Sequence, residues 1–546
     1  MAATRLSSLA RSSAVMTAGT LVSRILGFVK TMLLATAIGV TVGGAADAFD
    51  VANKVPNNLY MLLAGGVLNA VLVPQIVRAT RRTDGGRDFT NRLLTLTVVL
   101  LLGVTVIATL CAPLLVRLYS SATWSPEQTA LAVAFAYWCL PQIFFYGLYT
   151  MLGQVLNAHS SFGPYMWAPV VNNLVAILGL VAFIFVFGPG ETGQHAVGTW
   201  DTAKIALLAG SATLGVVLQA LVLLVPLRRM GFAFRPTFGF RGFGLRTAGT
   251  VAGWTFAAVL VGQLGFVVTS RVAASASSAG GEVSASNAAY SVSYLMFMLP
   301  HSLVAVSLAT ALFTSMSSFA ADGDVRSVRS SLALGLRVVG LVNMFATVAF
   351  IALAGPAAML IGGGTQEQAR SIGLVLITMV IGLVPFSANY LLQRVFYAYE
   401  DARSPFWVQL PQVVLTSGGV LASGALLPQQ FVVAGIGLSM SLGYLFACLA
   451  SALLLRRRLA HLDSTPILLA HLKFAVAGLL ACGAGMGLLA WVGPGAWEAR
   501  LGALVTVGWI GTAMLVVYLG ACWVLRVREL RSVLDTVRRR LNRGAP

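Results

Sequence analysis

The chain has 546 residues, 58% hydrophobic and only 10% charged, against about 25% charged in soluble domains. That excludes a single water-soluble globule and reads as an all-α, polytopic membrane protein. Lys and Arg outnumber Asp and Glu by 36 to 17, but they lie in short loops on alternate sides of the apolar runs, the pattern of membrane topology and not of nucleic-acid binding.

Fourteen apolar segments follow in chain order, at about 13–39, 48–78, 91–118, 128–157, 164–188, 203–228, 246–275, 285–318, 328–355, 368–399, 404–427, 431–455, 468–492 and 500–526. The first follows a basic start, as a signal peptide would. Its length, its internal charges and the spans behind it mark it as a retained helix. One set of loops carries Arg78, Arg81, Arg82 and Arg87, then Arg228, Arg229, Arg235 and Arg241, then Arg326, Arg329, Arg403 and Arg456–Arg458. The N-terminus (Arg5, Arg11) and the tail (Arg526 to Arg543) fall on that side. The opposite loops carry Asp47, Glu127, Glu191, Asp201, Glu282, Glu367 and Glu498. By the positive-inside rule both termini are cytoplasmic, in a multi-pass protein of a plasma membrane.

Pro56, Pro74, Pro141, Pro169, Pro300, Pro385 and Pro411 lie at helix entrances or inside spans. Such breaks are tolerated around a cavity or between tightly packed helices, and both arrangements fit. The sequence also resembles itself. "GFVKT" at 27–31 is echoed by "GFVVT" at 265–269, "GQVLNAHSSFGPYMWAPVV" at 153–171 by "RVFYAYEDARSPFWVQLPQVV" at 394–414, and "LNAVLVPQ" at 68–75 by "LATALFTS" at 308–315. The shared offset of about 240 residues predicts two like-oriented six-helix lobes, 1–230 (spans one to six) and 245–458 (spans seven to twelve). Spans thirteen and fourteen (468–526) and a basic cytoplasmic tail (527–546) lie outside the repeat.

No enzyme signature is present: no HExxH, no P-loop, no GxSxG, so no catalytic residues, metal site or cofactor is expected. "IGGGT" at 361–365 falls at an external loop. The five cysteines (Cys111, Cys139, Cys448, Cys482, Cys522) lack metal-ligand or CxxC spacing and read as small apolar residues. His301, after Pro300 inside a span, reads as a hydrogen-bonded structural histidine or a proton relay. More informative are the charges inside spans: Arg24 and Lys30 in the first, Asp50 and Lys54 in the second, Arg271 in the seventh. A cation near the bilayer centre costs roughly 2.5–3.5 kcal/mol on insertion scales. Asp50 and Lys54, four apart, can neutralise each other. Arg24 and Lys30 have no acid on their own helix. The set therefore points to a cavity that receives an anion, and the arginine fork suits phosphate oxygens.

The stretches "SRILGFVKTMLLATAIG" (23–39), "ADAFDVANKVPNNL" (46–59), "NAVLVPQIV" (69–77), "FAYWCLPQIFFYGL" (135–148) and "LNAHSSFGPYMWAPVVNNLVAI" (156–177) resemble the MurJ/MviN family. These are the lipid II flippases of the multidrug/oligosaccharidyl-lipid/polysaccharide exporter superfamily, and the composition is similar to actinobacterial members. The resemblance implies a bacterial plasma-membrane flippase for an undecaprenyl-pyrophosphate-linked peptidoglycan precursor, working by alternating access. It places the family's first-span arginine at Arg24, its second basic position at Lys30 and the aspartate of its D-A-F step at Asp47. Thr31 follows Lys30 where many members have aspartate. "NLYMLLAGG" after Asn57 lacks charges common there, and the eighth span ("YSVSYLMFMLP") lacks an arginine before its proline. Arg271 is the candidate to supply that charge.

The substrate-binding set expected from residues and resemblance together is Arg24, Lys30, Asp47, Lys54 and Arg271. Spans thirteen and fourteen are implied to form a groove for the lipid tail. The expected partners are the lipid-linked precursor, membrane lipids and, as candidates, cell-wall synthesis or division proteins. Outward movement of about two negative charges gains roughly 2.3 kcal/mol per charge per 100 mV, so the membrane potential, or an ion, can drive it without ATP. Three rivals remain. A flippase for another polyprenyl-linked glycan needs the same phosphate site. A cation-coupled drug exporter of the superfamily prefers acidic cavities and twelve spans. A non-transporting scaffold has no reason to bury Arg24.

Overall fold

The computed structural model describes residues 2–41, 44–63, 87–159, 161–191, 193–231, 234–238, 249–276, 283–459, 461–462 and 464–530. The "LNAVLVPQ" segment, the loop arginines Arg78, Arg81, Arg82 and Arg241, Glu282 and the tail from 531 lie outside these residues. The described chain is helical and contains no strand. Contacts divide it into two compact units.

The first unit is Met1–Glu282 with Ser286–Ala288. It holds α1 (Ala2–Ile38), α2 (Ala45–Leu63), α3 (Arg87–Leu110), α4 (Ala112–Tyr119), α5 (Pro126–Cys139), α6 (Gln142–Ala158), α7 (Phe162–Phe187), α8 (Thr202–Leu221), α9 (Leu224–Arg229) and α10 (Gly249–Ser275). Small residues set its closest helix crossings: Gly179 of α7 meets Ser211 of α8, and Gly215 meets Asn172. Between apolar helices in lipid, such residues let backbones approach where no hydrophobic gradient draws them together.

The second unit takes α11 (Asn287–Pro300) from Ala289 onward, then α12 (Val306–Ala321), α13 (Val325–Ala352), α14 (Ala354–Gly362), α15 (Gln366–Val380), α16 (Leu383–Ala398), α17 (Arg403–Leu426), α18 (Val432–Arg458), α19 (Ser464–Val492) and α20 (Arg500–Val524). The last two helices dock on α13 and α14 through a core that includes Leu353, Phe474, Ile510, Met514 and Tyr518. The Tyr518 hydroxyl donates to the Leu341 carbonyl at 2.8 Å.

These boundaries differ from the expected lobes in two places. The helix of span seven, α10, packs on α2 and α4 and belongs to the first unit. Two bonds tie it there: Ser270 Oγ–H to the Tyr119 carbonyl at 2.9 Å, and Trp124 Nε1–H to the Ala274 carbonyl at 2.9 Å. The stretch from 527 begins as packed structure and not as tail, because Val527 and Glu529 are buried against the final helices.

Eleven described helical stretches are long and apolar enough to cross a membrane, and the bent pair α15–α16 makes a twelfth. The 20-residue stretch Asn91–Leu110 is about 30 Å long at 1.5 Å per residue, the thickness of a hydrocarbon core. The expected count of fourteen is not reached by this measure. Two more predicted spans correspond to α2, which carries Asp47, Asp50 and Lys54, and to α17, diluted by Gln409, Gln412, Thr416 and Ser417.

Three local features recur about 240 residues apart. Ser125 caps α5 by accepting from the Gln128 N–H, and Thr365 caps α15 by accepting from the Gln368 N–H, 240 residues on. Both segments break before their second helix, at Leu140–Pro141 and Ile381–Gly382. Both second helices end in the same turn: Ser161 N–H bonds the Leu156 carbonyl, and Asp401 N–H bonds the Phe396 carbonyl, each at 2.9 Å. At the later corner partial burial disfavours the Asp401 charge, but bonds from the Ser404 backbone and hydroxyl and from Arg458 outweigh it and hold that carboxyl below its usual range.

Candidate functional site

The candidate cations lie on α1. Arg24 is half-buried on the stretch Ala18–Ile38, and Lys30 follows six residues later. Lys30 lines a small cavity of about 60 Å³ with Phe49 and Asn53 of α2, Gln142 and Tyr146 of α6, Asn172 of α7 and Ser211 of α8. No acid lines it. The polar groups are amides and hydroxyls with partners inside and beside the cavity: Gln142 Nε2 donates to Asn53 Oδ1 at 3.3 Å and to Thr213 Oγ1 at 2.9 Å, and Asn172 Nδ2 to Gln219 Oε1 at 2.7 Å. At this size the cavity holds a handful of waters, far from enough for a sugar pyrophosphate.

The second helix splits its polar residues between two faces. Phe49 and Asn53, four apart, face the Lys30 cavity. Asp50 and Lys54, about 100° round the helix, pair with each other at 2.7 Å, with the Lys54 ammonium 5.7 Å from the Phe266 ring centre of α10. Lys54 is thus brought to Asp50 and not to Lys30. A double-mutant cycle of Asp50→Asn and Lys54→Met on thermal unfolding should return a coupling of about 1 kcal/mol or less, the double variant lying closer to wild type than the sum of the single ones.

Asp47 sits elsewhere again. It is 3% exposed, at the start of α2. The Ser286 hydroxyl donates to it at 2.6 Å and the Ala288 N–H at 2.9 Å, so the carboxylate closes the beginning of α11 as an N-terminal acid does. Arg271 is exposed on α10 and forms no ion pair among the described residues. The five expected residues therefore fall into distinct settings: Arg24 and Lys30 along α1, the Asp50–Lys54 pair, the Asp47 cap, and Arg271.

His301 is buried in a π-turn after Pro300, 2.9 Å from Ser387 Oγ, which also accepts from Asn343 Nδ2 at 2.7 Å. Its ring packs 4.5 Å from that of Phe386. Sequence reasoning missed a further intramembrane charge, Arg337 in α13. Its Nε donates to the buried Glu529 at 2.5 Å. The signal was present, an arginine inside "SLALGLRVVGL".

Apolar helices carrying half-buried cations, with the last helix pair packed within the second unit, define a multi-pass membrane protein of the transporter class. The sequence model of the family described as "Lipid II flippase MurJ" matches residues 34–498, and the chain belongs to that family. The Burkholderia cenocepacia protein named "Lipid II flippase MurJ" is 29% identical over 455 residues, covering 80% of this chain and 82% of that one. The "Probable lipid II flippase MurJ" of Vibrio cholerae is 26% identical over 497 residues, covering 88% and 89%. Among solved structures, "Lipid II flippase MurJ, inward closed conformation" shares the fold with a TM-score of 0.69 at 17% identity, covering 92% of this chain and 98% of that one. An inward-facing multidrug resistance MATE family transporter matches with 0.61 at 18% identity, covering 79% and 98%.

Proposed function

We propose that the chain moves an undecaprenyl-pyrophosphate-linked peptidoglycan precursor from the inner to the outer leaflet of the bacterial plasma membrane by alternating access, without chemistry on the substrate. The observation that carries this reading is the cationic first span of a family member: Arg24 and Lys30, with no acid around the Lys30 ammonium. A cavity for cationic drugs would need the opposite charge. Arg24 docks the pyrophosphate, with Arg271 as a third cation, and Lys30 holds positive potential behind it. Both termini face the cytoplasm, the membrane potential or an ion supplies the drive, and α19 and α20 guide the lipid tail. Cell-wall synthesis or division proteins are the natural neighbours.

Depleting the chain in its native cell and measuring lipid-linked intermediates in each leaflet tests the reading. The peptidoglycan precursor should accumulate on the inner side. Accumulation of a different polyprenyl-linked glycan, with the peptidoglycan precursor still reaching the outer side, would assign the substrate to that rival.

A further inference from the structure

The end of the described chain carries charges that transport does not use. α20 closes in a Schellman turn: the Val527 N–H reaches the Cys522 carbonyl at 3.0 Å, and the Arg526 N–H the Trp523 carbonyl at 3.1 Å. The left-handed position of such a turn normally takes glycine, because a Cβ there is strained. Here it is Arg526, with φ of 54°. Every other positive-φ position among the described residues is a glycine, apart from Glu400. A strained arginine kept where glycine would serve points to its side chain having work outside the turn.

That turn bounds a pocket of about 450 Å³ between α13 and α19. Four cations line it, Arg337, Lys473, Arg526 and Arg528, with one carboxylate, Glu529. Glu529 is engaged with Arg337, leaving a formal surplus of three positive charges. Lys473 lies nine residues into α19, about 14 Å along the helix. Beside the pocket, Leu468, Leu472 and Leu479 of α19 are each more than half exposed. A charged recess opening beside an apolar strip matches an amphiphile with an anionic head.

We propose that this pocket is a binding site for the phosphate headgroup of an anionic glycerophospholipid, with its acyl chains along α19. Basic pockets between membrane helices on the positively charged side hold such headgroups, and the arginine forks fit phosphate oxygens. The site needs only that the chain spans a membrane, and so stands independently of the transported substrate.

The test reconstitutes the full chain into nanodiscs of phosphatidylcholine alone or with phosphatidylglycerol or cardiolipin. Thermal unfolding and native mass spectrometry are followed in each. The wild type should unfold several degrees higher with anionic lipid and retain at least one anionic lipid molecule. The variant Lys473→Gln/Arg528→Gln should lose at least half of that gain. Arg526→Gly relieves the backbone, so it should be at least as stable in phosphatidylcholine while losing part of the anionic-lipid increment and the retained lipid. Wild-type increments in both variants would overturn the proposal. A shift of equal size from inorganic pyrophosphate in phosphatidylcholine discs would overturn the lipid assignment in favour of a free-anion site.

Discussion

Arg24→Ala should reach the membrane at the wild-type level but should not sustain growth of a cell depleted of the native chain. Arg24 sits within the stretch Ala18–Ile38, half-buried among α1 residues that are otherwise largely apolar. In the proposed docking role, its truncation removes charge-assisted hydrogen bonds to phosphate oxygens, each worth roughly 1.5–3 kcal/mol. At about 1.4 kcal/mol per decade, substrate capture falls by one to several decades. Arg24→Lys should rescue only in part, since a single ammonium cannot grip two oxygens as the guanidinium does. Lys30→Arg keeps the charge and should be tolerated. Complementation with immunoblotting of membrane levels decides the matter. Normal growth from Arg24→Ala at normal abundance would remove the phosphate-docking role.

The second large effect concerns stability. Asp47→Ala should lower the thermal midpoint of the purified chain strongly, by the equivalent of about 3 kcal/mol or more. The change strands the Ser286 hydroxyl and the Ala288 N–H, both bonded to a carboxylate that is 3% exposed, and bonds to charged groups contribute roughly 1.5–3 kcal/mol each. Asp47→Asn keeps one acceptor oxygen and should fall between the two. A substrate contact would behave otherwise, with Asp47→Ala folding normally and losing only transport. The midpoints of the three proteins, measured beside complementation, separate a cap from a ligand.

The sequence made the helical spans legible because lipid demands long apolar runs. Ser125 and Thr365, 240 residues apart, hold like caps, and the corners after Ala158 and Ala398 each close with a hydrogen bond of the same pattern. The role of Asp47 was not legible, since its partner Ser286 lies 239 residues away; local patterning marks the residue as acidic and says nothing of what it meets. The Asp50–Lys54 pair was legible because four-residue spacing is itself the geometry. The partition of α10 followed from packing on α2 and α4, which no periodicity records. Glu529 was hidden among the arginines of an apparent tail.

The pairing of Arg337 with Glu529 also bears on how the protein is made. The two residues are 192 positions apart, which at 5–20 residues per second corresponds to roughly 10–40 s of synthesis. Throughout that interval α13 exists with its arginine while the carboxylate that answers it has not left the ribosome. A cation within an apolar helix is disfavoured until it is paired or reaches the interface, so α13 reaches its final setting only once Glu529 arrives. The settling of α13 thus waits on residues translated long after it, and a ribosome stalled before Glu529 leaves the Arg337 side chain without its carboxylate.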